Sequence, residues 1–86
     1  MEGIHGELSF LRPAEIFEIE FSYLTQRKNK KTSKCHIKVL KGGGIREAIK
    51  LFYERILDFN MVEEYRRVLN VKILSTKKIS DTIVSF

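Results

Sequence analysis

The chain has only one cysteine and two histidines among its 86 residues, and these shortages limit what it can do. A lone cysteine, Cys35, closes no internal disulfide, so a reducing compartment and a cytoplasmic location are expected. Cys35 and His36 are neighbours in sequence. On a strand, neighbours point to opposite faces, so the two do not share one tetrahedral ion, and Cys35 is most simply a small core residue. His5 stands far from both, and neither a metal nor a cofactor is implied.

Long apolar runs are missing too. The longest stretch without a charge is six residues, Phe21 to Gln26, whereas a membrane span needs about twenty apolar positions, so no membrane partner is expected. The opening segment MEGIHGELSF carries an acid at position 2 and no apolar core, unlike a secretory signal. Gly42-Gly43-Gly44 lacks the Gly-Lys-Ser/Thr ending of a phosphate loop and is read as a permissive turn, with Lys41 and Arg46 flanking any anion that did bind there. No histidine is placed by a recognisable motif beside a nucleophile and an orienting acid. Glu18 and Glu20 share a face, but their expected neighbour Lys38 makes them an ion-pair patch before an acid–base pair. No catalytic residue is assigned, and a non-enzymatic role is expected.

What the chain does have is concentrated positive charge. The window Arg27 to Lys41, RKNKKTSKCHIKVLK, holds Arg27, Lys28, Lys30, Lys31, Lys34, Lys38 and Lys41 with no acid, a local charge of +7 in a chain whose total is +5. A focused field of one sign raises the local concentration of polyanions and speeds their encounter. Leu, Ile, Val and Phe are too frequent for a disordered chain, so this charge sits on a folded domain.

The apolar pattern gives that domain its elements. Phe17, Ile19, Phe21 and Tyr23 alternate with Glu18, Glu20 and Ser22, the period of a half-buried strand; a helix opened by Pro13 is the weaker rival. Cys35, Ile37 and Val39 alternate with His36 and Lys38, completing a hairpin. A register setting Tyr23 opposite Cys35, Phe21 opposite Ile37, Ile19 opposite Val39, Glu20 opposite Lys38 and Ser22 opposite His36 matches apolar with apolar and acid with base. It leaves 26–33 as a long basic tip. Ile45, Ala48, Ile49, Phe52 and Ile56 form the apolar stripe of a helix from Ile45 to about Leu57. A second short helix follows Asp58-Phe59-Asn60, with Met61, Tyr65, Val68 and Leu69 on one side. Val71 and Ile73 begin another strand, Ser75 to Lys78 reads as a turn, and Ile79 to Phe86 favours β structure again.

The fold class is therefore α+β, one domain over 1–86, with a small antiparallel sheet of three to four strands packed on one face by one or two helices in the order β-β-α-(α)-β-β. Residues 1–12 are an edge strand or a loose N-terminal arm. The expected function is a small basic nucleic-acid-binding protein that meets the phosphate backbone through its lysine-rich hairpin tip. The residues expected to carry it are Arg27, Lys28, Lys30, Lys31, Lys34, Lys38 and Lys41, joined by Lys77 and Lys78. The tip holds no aromatic residue, so base stacking is not expected and RNA is not distinguished from DNA. The alternative is a protein-interaction or homo-oligomeric module that binds an acidic partner, favoured by Ile83-Val84-Ser85-Phe86 and by Leu8, Phe10 and Leu11.

Overall fold

The computed structural model describes residues 11–85; of the expected arm or edge strand over 1–12, residues 1–10 lie outside them, as does Phe86, while Leu11 and Arg12 begin the first strand. Among the described residues the order is β1 (Leu11–Leu24), β2 (Lys30–Leu40), α1 (Gly44–Val62) and β3 (Leu69–Ser85). The three strands form one antiparallel sheet in the order β2-β1-β3. At about 3.3 Å per residue the seventeen residues of β3 span roughly 56 Å, which sets the longest dimension of the 58 × 26 × 15 Å molecule.

The period-two alternation of β1 and β2 places their faces as expected. Phe17, Ile19 and Phe21 of β1 and Ile37 and Val39 of β2 are buried against Ala48 and Phe52 of α1, with Tyr23, Cys35, Leu51, Ile56, Val71 and Ile73 packed around them. Phe52 is the hub, its ring centroid 4.9 Å from that of Phe21. The helical stripe is Ala48, Leu51, Phe52 and Ile56; Ile45, placed in it by spacing alone, is exposed at 48%.

The pairing differs from the expected register. Ile19 stands opposite Cys35, Phe17 opposite Ile37 and Glu20 opposite Lys34, a slip of four residues along β2. An even slip keeps every side chain on its face, so alternation alone does not tell the two registers apart. The turn does. Thr25 N donates to Asn29 O at 2.9 Å, Lys28 N donates to Thr25 O at 2.9 Å, and Asn29 N donates to Thr25 Oγ1 at 3.1 Å. This is the three-residue hairpin loop whose last position takes the left-handed conformation, here Lys28 at φ 68°. The connection is thus 25–29 rather than 26–33, and Lys30, Lys31 and Lys34 belong to β2.

Two further expectations are corrected. The second helix is absent: α1 continues through Asp58-Phe59-Asn60 to Val62, and 63–68 is a loop. Residues 75–78 are strand, not turn, because β3 runs unbroken and absorbs the lost alternation in bulges around Leu74 and Ile79. The described chain is therefore β-β-α-β. Pro13, the opener of the rival helix, lies instead within β1, level with Ile83 and just past the Ala14–Leu40 pair that ends the β2 ladder. A proline there removes no donor from a doubly paired strand.

Between β2 and α1 the glycines are needed. Gly42 has φ 102°, and a Cβ on Gly43 would lie 2.6 Å from Val39 Cγ1. This tight corner turns the helix back along β2. Arg55 then reaches the β2 edge, where Nη1 donates to His36 O at 3.0 Å and blocks one ladder acceptor of that edge. No helix is long and apolar enough to cross a membrane among the described residues.

Candidate nucleic-acid interface

The nine cations expected to act together are spread over the sheet. Arg27 and Lys28 are in the turn, Lys30 and Lys31 open β2, and Lys34 and Lys38 follow on the face away from α1. Lys41 lies beyond the far end of β2, about 36 Å from the turn at 3.3 Å per residue. It is not part of the tip. Lys77 and Lys78 stand on β3 opposite Glu18 and Phe17, so they too are away from the turn.

Ion pairing divides this set. On the open face Glu18 is the centre: His36 Nε2 lies 3.2 Å from its Oε2, and the Nζ atoms of Lys34 and Lys77 each lie 3.7 Å from its Oε1. The hydrogen bond with His36 holds the Glu18 carboxyl below its ordinary range against partial desolvation, with the charges of Lys34 and Lys77 assisting. On the other face Lys78 Nζ lies 2.9 Å from Asp81 and 3.0 Å from Glu15. The bulge at Ile79 makes that cluster, since residues three apart on a regular strand would face opposite ways. Its hydrogen bonds to Asp81 and then Glu15 raise the Lys78 ammonium, and Lys78 in turn lowers Asp81. Each of these three lysines therefore has a carboxylate within 4 Å.

The hairpin end is different. At about 1.5 Å per residue the nineteen residues of α1 rise about 28 Å, most of the way back along β2. The loop that follows therefore lands against the turn. Asn60 fixes it there: its Nδ2 donates to Val68 O at 3.0 Å, while its Oδ1 accepts from Val68 N at 2.8 Å. Arg67 Nε donates to Asn60 O at 3.1 Å, and Gln26 Nε2 of the turn donates to Glu64 O at 3.1 Å. Between turn and loop opens a groove of about 700 Å³. Arg27, Lys31, Arg66 and Arg67 line it, and no carboxylate does. Tyr23, Phe59 and Tyr65 contribute its aromatic surface.

Arg66, Arg67 and the three aromatics were not among the expected site residues. Sequence distance hid them, because 66 and 27 meet only when the helix returns to the hairpin end. Helix length was the available signal: continued to Val62, α1 brings the 63–68 loop to the turn, whereas a helix ended at Leu57 is five residues shorter. No aromatic residue lies within 26–33, but Tyr23, Phe59 and Tyr65 line the assembled groove. Cys35, partly buried against the core, and His36, on the open face, point apart as expected. No known protein family matches the chain, and no curated protein or solved structure is significantly similar to it.

Proposed function

We propose that this protein binds nucleic acid through the phosphate backbone, using the hairpin end of the sheet rather than the whole basic segment. One observation carries this reading: six cations without a carboxylate partner gather at the hairpin end, whereas Lys38 and Lys41, likewise unpaired among the described residues, stand apart at the other end of β2. Lys34, Lys77 and Lys78 are held by Glu18, Glu15 and Asp81. Arg27, Lys28, Lys30, Lys31, Arg66 and Arg67 crowd the hairpin end, all exposed, and among the described residues none pairs with a carboxylate. Glu63 and Glu64 open the same loop without lining the groove, so the end keeps a net positive charge. Exposed guanidinium and ammonium groups gathered on one end suit phosphate oxygens, and arginine in particular offers a planar fork that matches them.

Lys28 adds support. It occupies a left-handed backbone position that glycine or asparagine adopts at lower cost, so a cation stands where conformation alone favours another residue.

Four neutralised phosphates give a log–log salt slope of about −2.8 on a single strand, or about a fifty-fold loss of affinity between 50 and 200 mM salt. The test is a salt titration against RNA and DNA in single- and double-stranded form, with an acidic protein as control. Binding to none of the nucleic acids at 50 mM salt would remove this function, and salt-sensitive binding to the acidic protein alone would replace it with the interaction-module reading. That second reading has its own observation: Met61 and Val62, at the end of α1, are 82% and 80% exposed. Its homo-oligomeric form requires self-association in sedimentation at rising concentration, and a strict monomer leaves only the acidic-partner form.

A further inference from the structure

The groove between the hairpin turn and the 63–68 loop combines two chemistries that a duplex cannot use together. Its cations suit phosphates, but its aromatic rings suit the faces of bases, and in a duplex those faces are covered by their neighbours in the stack. We infer that the groove takes a single-stranded segment of RNA or DNA, with a base stacked on Tyr65 and the adjoining phosphates on Arg27, Lys31, Arg66 and Arg67. This inference rests on the nucleic-acid-binding reading above and names the form of nucleic acid that the same site selects.

Three features converge on it. The volume, about 700 Å³, lies within the usual range of ligand sites, about 300–1,000 Å³. Tyr65 is 86% exposed while Phe59 is 40% exposed, so one ring stands free at the rim and another forms the wall. Every base has a π-face, so stacking on such rings tolerates any sequence and complements a salt-dependent backbone contact.

The platform is also built before ligand arrives. Both backbone groups of Val68 are held by the Asn60 side chain, and the Glu64 carbonyl is held by Gln26. Tyr65 lies between these anchors in a loop of six residues. A loop fixed at both sides loses less conformational freedom on binding than a free one, which favours affinity.

The open face of the sheet does not offer the same combination. Its central Glu18 already engages Lys34, His36 and Lys77, and its β2 register positions Lys30, Thr32, Lys34, His36 and Lys38 include no phenylalanine, tyrosine or tryptophan.

The experiment is fluorescence anisotropy with labelled oligo(U), oligo(dT) and a blunt duplex, at 50 and 200 mM salt. The whole chain is compared with Tyr65→Ala, Tyr65→Phe and the double variant Arg66→Gln, Arg67→Gln. Single strands are expected to bind roughly tenfold or more tightly than the duplex, the worth of about one stacked base. Tyr65→Ala should erase that preference with little change in duplex affinity or salt slope, and Tyr65→Phe should retain it. The double arginine variant should weaken every probe and flatten the slope.

Equal affinity for strand and duplex, unchanged by Tyr65→Ala, would overturn the single-strand inference while leaving backbone binding intact. Binding to no probe would overturn both. Tyr65 is too exposed for its truncation to threaten folding, and an unchanged denaturation midpoint for Tyr65→Ala confirms that each result reports binding.

Discussion

Phe52 is where the stability of this small fold is most exposed to challenge. Its side chain is 0% accessible, and its ring meets Phe21 at 4.9 Å and Tyr53 at 5.3 Å between centroids. Truncating a buried phenylalanine to alanine costs about 3–5 kcal/mol, the sum of lost transfer energy and the cavity left behind. A chain of 86 residues has a total stability of about 4–13 kcal/mol at the usual 0.05–0.15 per residue. Phe52→Ala therefore removes from about a quarter of it to all of it and more. Phe52→Leu keeps most of the volume and is expected to cost about 1–1.5 kcal/mol, so it remains folded and measurable if the alanine variant does not. Ile45, at 48% exposure, is the control. It shares the apolar character and helical spacing of Phe52 but lies outside the core, so Ile45→Ala should cost about 0.5 kcal/mol. Urea denaturation followed by circular dichroism reads all three, with a slope of about 1 kcal/mol/M converting midpoint shifts to energies. Should Ile45→Ala cost more than Phe52→Leu, the helix is seated on the wrong face and the packing described here fails.

Acid and base act on different clusters. The Glu18 and Asp81 carboxyls titrate below their ordinary range in the folded chain, so their stabilisation is complete above the unfolded carboxylate range near pH 4 and is lost as the pH falls through the lowered values. The Lys78 ammonium is raised, so its contribution is complete below about pH 10 and fades as the pH climbs past the raised value. Denaturation midpoints should show both edges, and Glu18→Gln should soften the acid one alone. Lys28→Gly relieves a left-handed lysine and should raise stability by about 0.5–1 kcal/mol while weakening nucleic-acid binding; a lower midpoint would contradict the turn geometry. Asn60→Ala leaves Val68 N and O without their partners, at a cost of about 1–3 kcal/mol for two hydrogen bonds, and hydrogen exchange at Val68 should accelerate more than at Ile37.

The facing of β1 and β2 was legible because Phe17, Ile19, Phe21, Ile37 and Val39 repeat at the strand period, a signal that needs no knowledge of partners. The register was not. Glu20 finds a lysine opposite in either alignment, Lys38 in one and Lys34 in the other, and Ile19 finds an apolar partner in both. Only the geometry of Thr25, Lys28 and Asn29 separates them, and no glycine marks that turn. The bulges in β3 hid a single strand in the same way. Around Leu74 and Ile79 the alternation loses its phase, and a lost phase in a serine- and lysine-rich stretch reads as a turn. At the hairpin end the positive charge was visible along the chain, but the contribution of Arg66, Arg67 and Tyr65 depends on a helix continuing to Val62. Asn60, polar and late in the helix, looked like a terminator because its reciprocal bonds to Val68 have no counterpart in sequence spacing.

The central claim is that location, not total charge, decides binding: unpaired cations at the hairpin end contact phosphate, and paired cations on the sheet do not. Two triple variants test it at equal charge. Arg27→Gln, Lys31→Gln, Arg66→Gln removes three cations lining the groove. Lys34→Gln, Lys77→Gln, Lys78→Gln removes three held by Glu18, Glu15 and Asp81. Single-strand affinity measured from 50 to 200 mM salt should show the first variant losing about three quarters of the slope, from near −2.8 to near −0.7 at 0.7 per phosphate contact. The second should keep a slope close to that of the parent chain. Equal loss of slope in the two variants, or a greater loss in the second, would contradict the claim.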